Sequence, residues 1–303
     1  MKRGSYGLLA FLLTFTVTPS TSGQTTGFKV YISSDMEGIA GLVDSTQMSA
    51  TGRDYDVGRK YMTEETNAAI AAAFSAGATE VVVNDSHGSQ FNMKPHELDR
   101  RAVIITGSPK PFGMMQGIDA SFAAVVFIGY HAQASTTDAV HDHTYNSHLK
   151  SVRLNGREVG EYGLNAALAG HFGVPVVFIS GDSAVCRQAK DLIPGIEALP
   201  VKEGIGQTAA QTLHPEVARE KIRAAVQAAL ERAQTMKTTK PAGPVKLTTP
   251  VTIEMELALS AQADSAMMVP GMKRVSGRVV SYEAPDMTVA YRISRLVARL
   301  ATT

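Results

Sequence analysis

The chain has 303 residues, 44% hydrophobic and 19% charged, a globular composition that allows one large domain or two ordinary ones. Its 29 Lys and Arg against 28 Asp and Glu leave a formal charge of +1, and no basic block stands out, which argues against a nucleic-acid partner held through its phosphates. One cysteine, Cys186, excludes an internal disulfide and Cys-rich zinc modules, and the lack of Trp disfavours a stacking platform for sugars or single strands.

The N-terminus reads as a leader. Met1-Lys2-Arg3 is followed by an apolar run from Leu8 to Val17 and a small-residue exit through Thr18, Ser20, Ser22 and Gly23. This is the three-part pattern of a secretory signal peptide, so residues 1–23 are expected to be removed, with cleavage after Ser22 or Gly23. The apolar run is about half of the ~20 residues that span a bilayer. The mature chain is therefore expected in the periplasm or outside the cell, with no membrane segment.

Phe28 to Ser34 is β-branched and aromatic, a first strand. Arg59 to Ala76 predicts a helix, with Met62, Ala69, Ile70, Ala73 and Phe74 at helical spacing and Gly77 as its stop. Short apolar runs at Thr79–Val83, Ala102–Thr106, Phe122–Ile128 and Val174–Ser180 predict strands buried on both faces. Leu149–Leu154 and Val159 flank Asn155-Gly156, a favoured two-residue hairpin turn, and Glu161 to His171 predicts a helix ending before Gly173. Strands alternating with helices predict an α/β fold, a mostly parallel sheet with helices on both faces, over residues 28–193. From Pro194 the character changes: a helix from Pro215 to Gln234, a Thr/Lys/Pro linker over residues 235–250, strands at Val251–Met255 and Arg274–Ser281, and a closing helix from Pro285 to Leu300. Residues 194–303 are expected to form a smaller C-terminal α+β domain for assembly or substrate binding.

Open parallel sheets place their sites at the carboxyl ends of the strands. There the chain carries Asp35 and Glu37 after the first strand, His87 after the second, and His131 after the Phe122 strand, with Glu161 opening the helix behind the hairpin. Asp35 and Glu37 are two apart and leave one face of an extended segment. Singly, each has an ordinary explanation: a hydrogen-bonded structural histidine, or a carboxylate complementing a helix dipole. Their joint placement points to a metal site instead. Mixed imidazoles and carboxylates suit Zn²⁺ or a similar first-row ion better than Ca²⁺ or Mg²⁺. Five donors exceed the usual three of one catalytic zinc, which suggests two ions sharing a bridging carboxylate. The polar loop beyond His131 adds His141 and His143, either able to serve as a general acid or base.

Five segments together carry a signature: Ser-Asp-Met-Glu-Gly (34–38), Asn-Asp-Ser-His (84–87), Gly-Tyr-His-Ala (129–132), Asp-His-Thr (142–144) and Val-Gly-Glu-Tyr-Gly-Leu-Asn-Ala (159–166). In order and spacing they resemble the M55 peptidases, the D-aminopeptidase family, over residues 28 to 300. The resemblance implies two zinc ions bridged by Asp35, with Glu37, His87, His131 and Glu161 as the other ligands. It matches His143 to the family's catalytic histidine, described as a nucleophile and chemically also suited to general-base work. It further implies a homo-oligomer, a ring decamer with a central chamber. Two features depart from the pattern: the leader, an addition to a family member known as cytoplasmic, and His141, an extra imidazole in a loop one residue longer.

The expected activity is that of an exported dizinc aminopeptidase releasing N-terminal, D-configured residues from short peptides. The competing readings are another dimetal amidohydrolase or phosphoesterase, and a non-enzymatic exported metal- or peptide-binding protein. A phosphoesterase would be expected to show a Gly-rich phosphate cradle or an Arg clamp at the rim, and neither is present in the sequence there.

Overall fold

The structure is a computed structural model that describes residues 1, 27–193, 195–235 and 243–302. Apart from Met1, the expected leader lies outside the described residues.

Strand β1 (Lys29–Ser34) starts the main sheet, and short helix α1 (Ser45–Met48) follows, capped by the Asp44 carboxylate and Gln47 in a reciprocal box. Helix α2 (Tyr55–Ser75) runs back over the sheet on a stripe of buried alanines. It stops at Gly77, whose φ of +90° favours glycine. β2 (Glu80–Asp85), β3 (Val103–Ile105) and β4 (Ala124–Tyr130) come next. The predicted hairpin forms as β5 (Leu149–Leu154) and β6 (Arg157–Glu158), with Asn155 and Gly156 both left-handed as a two-residue turn requires. Then follow α3 (Glu161–His171), β7 (Val176–Asp182), α4 (Ser183–Leu192), β8 (Glu197–Gly206), β9 (Ala209–Thr212) and α5 (Pro215–Thr235). The chain closes with β10 (Val251–Leu257), α6 (Ser260–Ala266), β11 (Lys273–Arg274), β12 (Val279–Ala284) and α7 (Met287–Leu300).

The main sheet has the order β3-β2-β1-β4-β7-β8-β9, parallel except for β9. Its strands are buried on both faces, as their unbroken apolar runs require. Alternate residues feed two cores. Val30, Ile32, Val126 and Ile128 pack with α2 and α5 on one side; Tyr31, Val125 and Phe127 pack on the other with α3, α4 and the second layer. That layer is an antiparallel sheet, β11-β12-β10-β5-β6, backed by α7. The fold is the α/β architecture that the strand–helix alternation predicts.

The expected division at residues 193 and 194 is not where the fold divides. β8 pairs in parallel with β7, β9 completes that edge, and α5 lies beside α2 on the main sheet. In the other direction, the hairpin β5–β6 leaves the first segment to pair with β10 in the second sheet. The main sheet therefore reaches to residue 212, and the smaller antiparallel layer borrows its first two strands from the middle of the chain. Among the described residues, no helix is long and apolar enough to cross a membrane.

Candidate metal centre

The chain crosses from β1 to β2 and β3 on one side, then returns to β4 on β1's other side, so the strand order reverses at β1. A crevice at the carboxyl ends of the strands is expected at such a switch point, and there the predicted residues meet. Asp35 directly follows β1, and its N–H donates to Ile128 O of β4 at 2.8 Å. Gly38 N–H donates to Gly129 O at 2.7 Å, which brings the Asp35–Gly38 turn against β4. A Cβ on Gly38 would strike the carbonyl oxygen of Tyr130, and one on Gly181 of β7 would strike the same oxygen from the other side. Only glycine permits that approach.

Three groups of possible ligand atoms lie within 4.8 Å of one another: Asp35, Glu37 and His87; Asp35, His131 and Glu161; and Glu37, His131 and His143. The first two divide the five predicted metal donors between them and share only Asp35. His87 Nδ1 lies 2.9 Å from Glu37 Oε2 and 3.4 Å from Asp35 Oδ1. His131 Nε2 lies 3.6 Å from both Asp35 Oδ2 and Glu161 Oε1. His143 Nε2 lies 3.8 Å from Glu37 and 3.7 Å from Glu161, and its ring stacks on His131 at 4.1 Å. His143 thus stands within the donor cluster, as the most exposed of the three imidazoles.

Each imidazole is turned by a backbone carbonyl. Met48 O faces His87 Nε2 at 2.8 Å, Ala132 O faces His131 Nδ1 at 2.9 Å, and His141 O faces His143 Nδ1 at 2.7 Å. A carbonyl can only accept, so each facing nitrogen carries the proton, and the other nitrogen, when the ring is neutral, directs a lone pair at the carboxylates. Such lone pairs are compatible with the carboxylates facing them when a proton or a metal cation lies between, and second-sphere carbonyls of this kind orient metal-binding histidines. Asp35 Oδ2 and His131 Nε2 are buried, have no hydrogen-bond partner among the described residues, and face each other. These orphaned atoms and the mixed N/O donors fit a zinc-type ion.

The electrostatics agree. Burial, reinforced by Glu37, lifts Asp35 to about 7. Burial opposes ionisation of Glu37 too, but His87, His131 and His143 carry it well below the usual carboxylate range. Burial disfavours charge on His87 and His131, yet Glu37 raises the first and Glu161 the second well above the usual imidazole value. Without a cation, the carboxylates recruit protons onto their neighbours.

Several supporting residues were not foreseen. Tyr145, held left-handed at φ +64°, donates its N–H to Glu161 Oε1 at 2.6 Å and places its hydroxyl 3.3 Å from Ser294 of α7. Asp85 accepts from the N–H groups of Asn92 and Met93 and closes the loop that carries His87. Lys110 donates to Asn84 Oδ1 and to Asp85 O at 2.8 Å below the same loop. Asp85 stood in the recognised Asn-Asp-Ser-His segment and could have been singled out there; Tyr145 and Lys110 carry no local signal, since their partners are remote in sequence. His141 sends Nε2 to Val43 O at 3.0 Å, away from the donor cluster, which separates its role from that of His143. A cavity of about 350 Å³ opens beside Glu37 and His87, walled by Ser45, Met48, Ser49, Ser89 and His141.

An α/β fold with a buried cluster of imidazoles and carboxylates at its switch point defines a class, that of metal-dependent hydrolases. Residues 28–296 match the model of the family Peptidase_M55, described as D-aminopeptidase, and the chain belongs to that family and is an enzyme of it. It is 38% identical over 275 residues to the D-aminopeptidase of Bacillus subtilis (strain 168), covering 90% of this chain and 97% of that protein. A solved structure described as "Zn-dependent D-aminopeptidase DppA from Bacillus subtilis, a self-compartmentalizing protease" superposes with a TM-score of 0.85 at 36% identity. The match covers 91% of this chain and 98% of that one.

Proposed function

We propose that this protein is an exported zinc aminopeptidase that removes D-configured N-terminal residues from short peptides, using two ions that share Asp35. The observation that carries the reading is the division of five donors into two groups with Asp35 in common, together with its unpartnered Oδ2. Asp35, Glu37 and His87 would hold one ion, and Asp35, His131 and Glu161 the other. When bound there, zinc supplies Lewis-acid polarisation of the scissile carbonyl and activation of water. His143 has its Nδ1 proton fixed on His141 O, so its Nε2 is free to take a proton or attack, at the more open side of the cluster. Met48, Ala132 and His141 keep the three rings oriented through their carbonyls. The cavity beside Glu37 and His87 supplies the place for the N-terminal residue.

Export rests on the leader-like N-terminus, and a periplasmic or extracellular location makes D-Ala peptides from cell-wall turnover a natural substrate. Membership of a family whose solved member is described as self-compartmentalizing supports a homo-oligomer. The test is hydrolysis of D-Ala-D-Ala and of L-Ala-L-Ala by purified protein, with zinc and with a chelator. Cleavage of the D peptide that disappears on chelation and returns with zinc is expected. Absence of zinc-dependent cleavage of either peptide would overturn the assignment.

A further inference from the structure

The segment after Asp35 is gripped from below by two ionisable side chains that are almost fully buried. Lys202 of β8 is 3% exposed, and its ammonium donates to the carbonyls of Glu37, Ile39 and Leu42, at 3.0 Å for Ile39. An ammonium has three protons, and this one directs them at three carbonyls that converge on it. From the opposite layer, Glu65 of α2, 1% exposed, accepts the Ala40 N–H at 2.9 Å through Oε1, while Oε2 has no hydrogen-bond partner among the described residues. The backbone from residue 37 to 42 is thus held by a cation on its carbonyls and an anion on its amide.

Burying either charge is unfavourable unless its contacts are needed. A plain turn does not need them, since hydroxyls or water can satisfy the same backbone groups. Here the held backbone is that of Glu37, and neither Lys202 nor Glu65 is among the clustered donors themselves. Lys202 also stands opposite Asp182 in the β7–β8 register, and Asp182 accepts the N–H of Val140 in the loop leading to His143. One buried lysine therefore sits between the two segments that deliver Glu37 and His143.

We propose that Lys202 and Glu65 are positioning residues that set the height and orientation of the Asp35–Glu37 segment for metal binding. This rests on the zinc reading above. Support of this kind is worth about 10- to 100-fold in metal affinity or activity in other metalloproteins. Lys202→Met is expected to lower zinc affinity by that factor, measured by stripping the protein and titrating zinc against a chromophoric chelator. In the zinc-free variant, hydrogen–deuterium exchange is expected to rise over residues 35–42 and to stay unchanged in β2 and β7. Lys202→Arg, which keeps a cationic donor, is expected to recover part of the affinity. Glu65→Leu is the second variant: it removes the acceptor of the Ala40 N–H, and circular dichroism establishes that it is folded before zinc is titrated. A tenfold loss of zinc affinity is expected for it. A purely structural role would lower the melting temperature of both variants and leave zinc affinity unmoved, and that result overturns the proposal. A wild-type protein that takes up no zinc in the same titration would instead sink the metal reading on which it rests.

Discussion

The rim of the parallel sheet and the loop that closes over it hold their side chains by opposite means. Asp35, Glu37, His87 and His131 stand within three residues of β1, β2 or β4, whose registers are fixed by ladder hydrogen bonds on both sides of β1. The loop from 132 to 148 has almost no regular structure, and four of its non-glycine residues, Ser135, Asp138, His141 and Tyr145, are left-handed. Each such residue costs on the order of 1–3 kcal/mol and persists only where the surroundings impose it. The surroundings here are remote: Gln207 accepts His141 N–H, Asp182 holds Val140, and Ala298 of α7 accepts Asn146 Nδ2. Side chains that must stay close belong on the rim, while His143, the group proposed to handle protons, rides on a segment whose shape other elements dictate.

Substitutions can break that contrast. The largest effect is expected for Asp35→Ala, the donor common to both groups: zinc content by metal analysis should fall, and turnover of a D-Ala dipeptide should drop by about 10³-fold or more, the scale of losing a preorganised electrostatic group. His143→Ala should lower turnover by about 10²- to 10⁴-fold, as expected for a proton-transfer group, while metal analysis finds zinc retained. Loss of zinc along with activity would reassign His143 from the loop's chemistry to the rim's binding. Asn165→Ala tests the scaffold behind the rim. Its amide donates to Tyr130 Oη at 2.8 Å and accepts from Tyr291 Oη at 2.6 Å, so removal takes the acceptor from the buried Tyr291 hydroxyl and leaves Tyr130 Oη with Ser33 Oγ at 2.7 Å. A loss of about 1–3 kcal/mol in denaturant unfolding is expected.

A further expectation concerns pH. Burial lowers Lys110 from 10.5 to about 8, so between those values the unfolded chain binds a proton that the folded one lacks. Stability contributed by this group therefore rises as pH increases from about 8 to 10.5 and is constant below that window. The difference in unfolding free energy between wild type and Lys110→Met should shift in favour of wild type across that interval, and a flat difference would mean that burial leaves Lys110 at its ordinary value.

How far the sequence can be read follows the same division. β5 and α3 have the predicted limits, and β1 differs by one residue, because unbroken apolar or helix-periodic runs bounded by Gly or Asn-Gly dominate locally. The five clustered side chains were legible because Asp35, Glu37, His87 and His131 lie just beyond such runs and Glu161 opens one. β8 was not, since Glu197–Gly206 carries Pro200, Lys202, Glu203, Gly204 and Gly206 and acquires strand geometry only by pairing with β7 and β9. Missing β8 misplaced the boundary and hid Lys202. Glu65 did leave a trace: it lies three residues after Met62 and four before Ala69, a carboxylate on the apolar stripe of α2, where a solvated charge does not belong.

The pinch at the Tyr130 carbonyl, with Gly38 on one side and Gly181 on the other, means that main-chain atoms alone fix how near the first strand's turn comes to its neighbours. The pocket of clustered donors therefore has a size written in backbone, whereas its chemical taste is written in side chains. Exchanging a carboxylate for an imidazole at the rim can retune which ion is preferred without resizing the cage; enlarging either glycine by a single methyl would resize the cage for every ion at once.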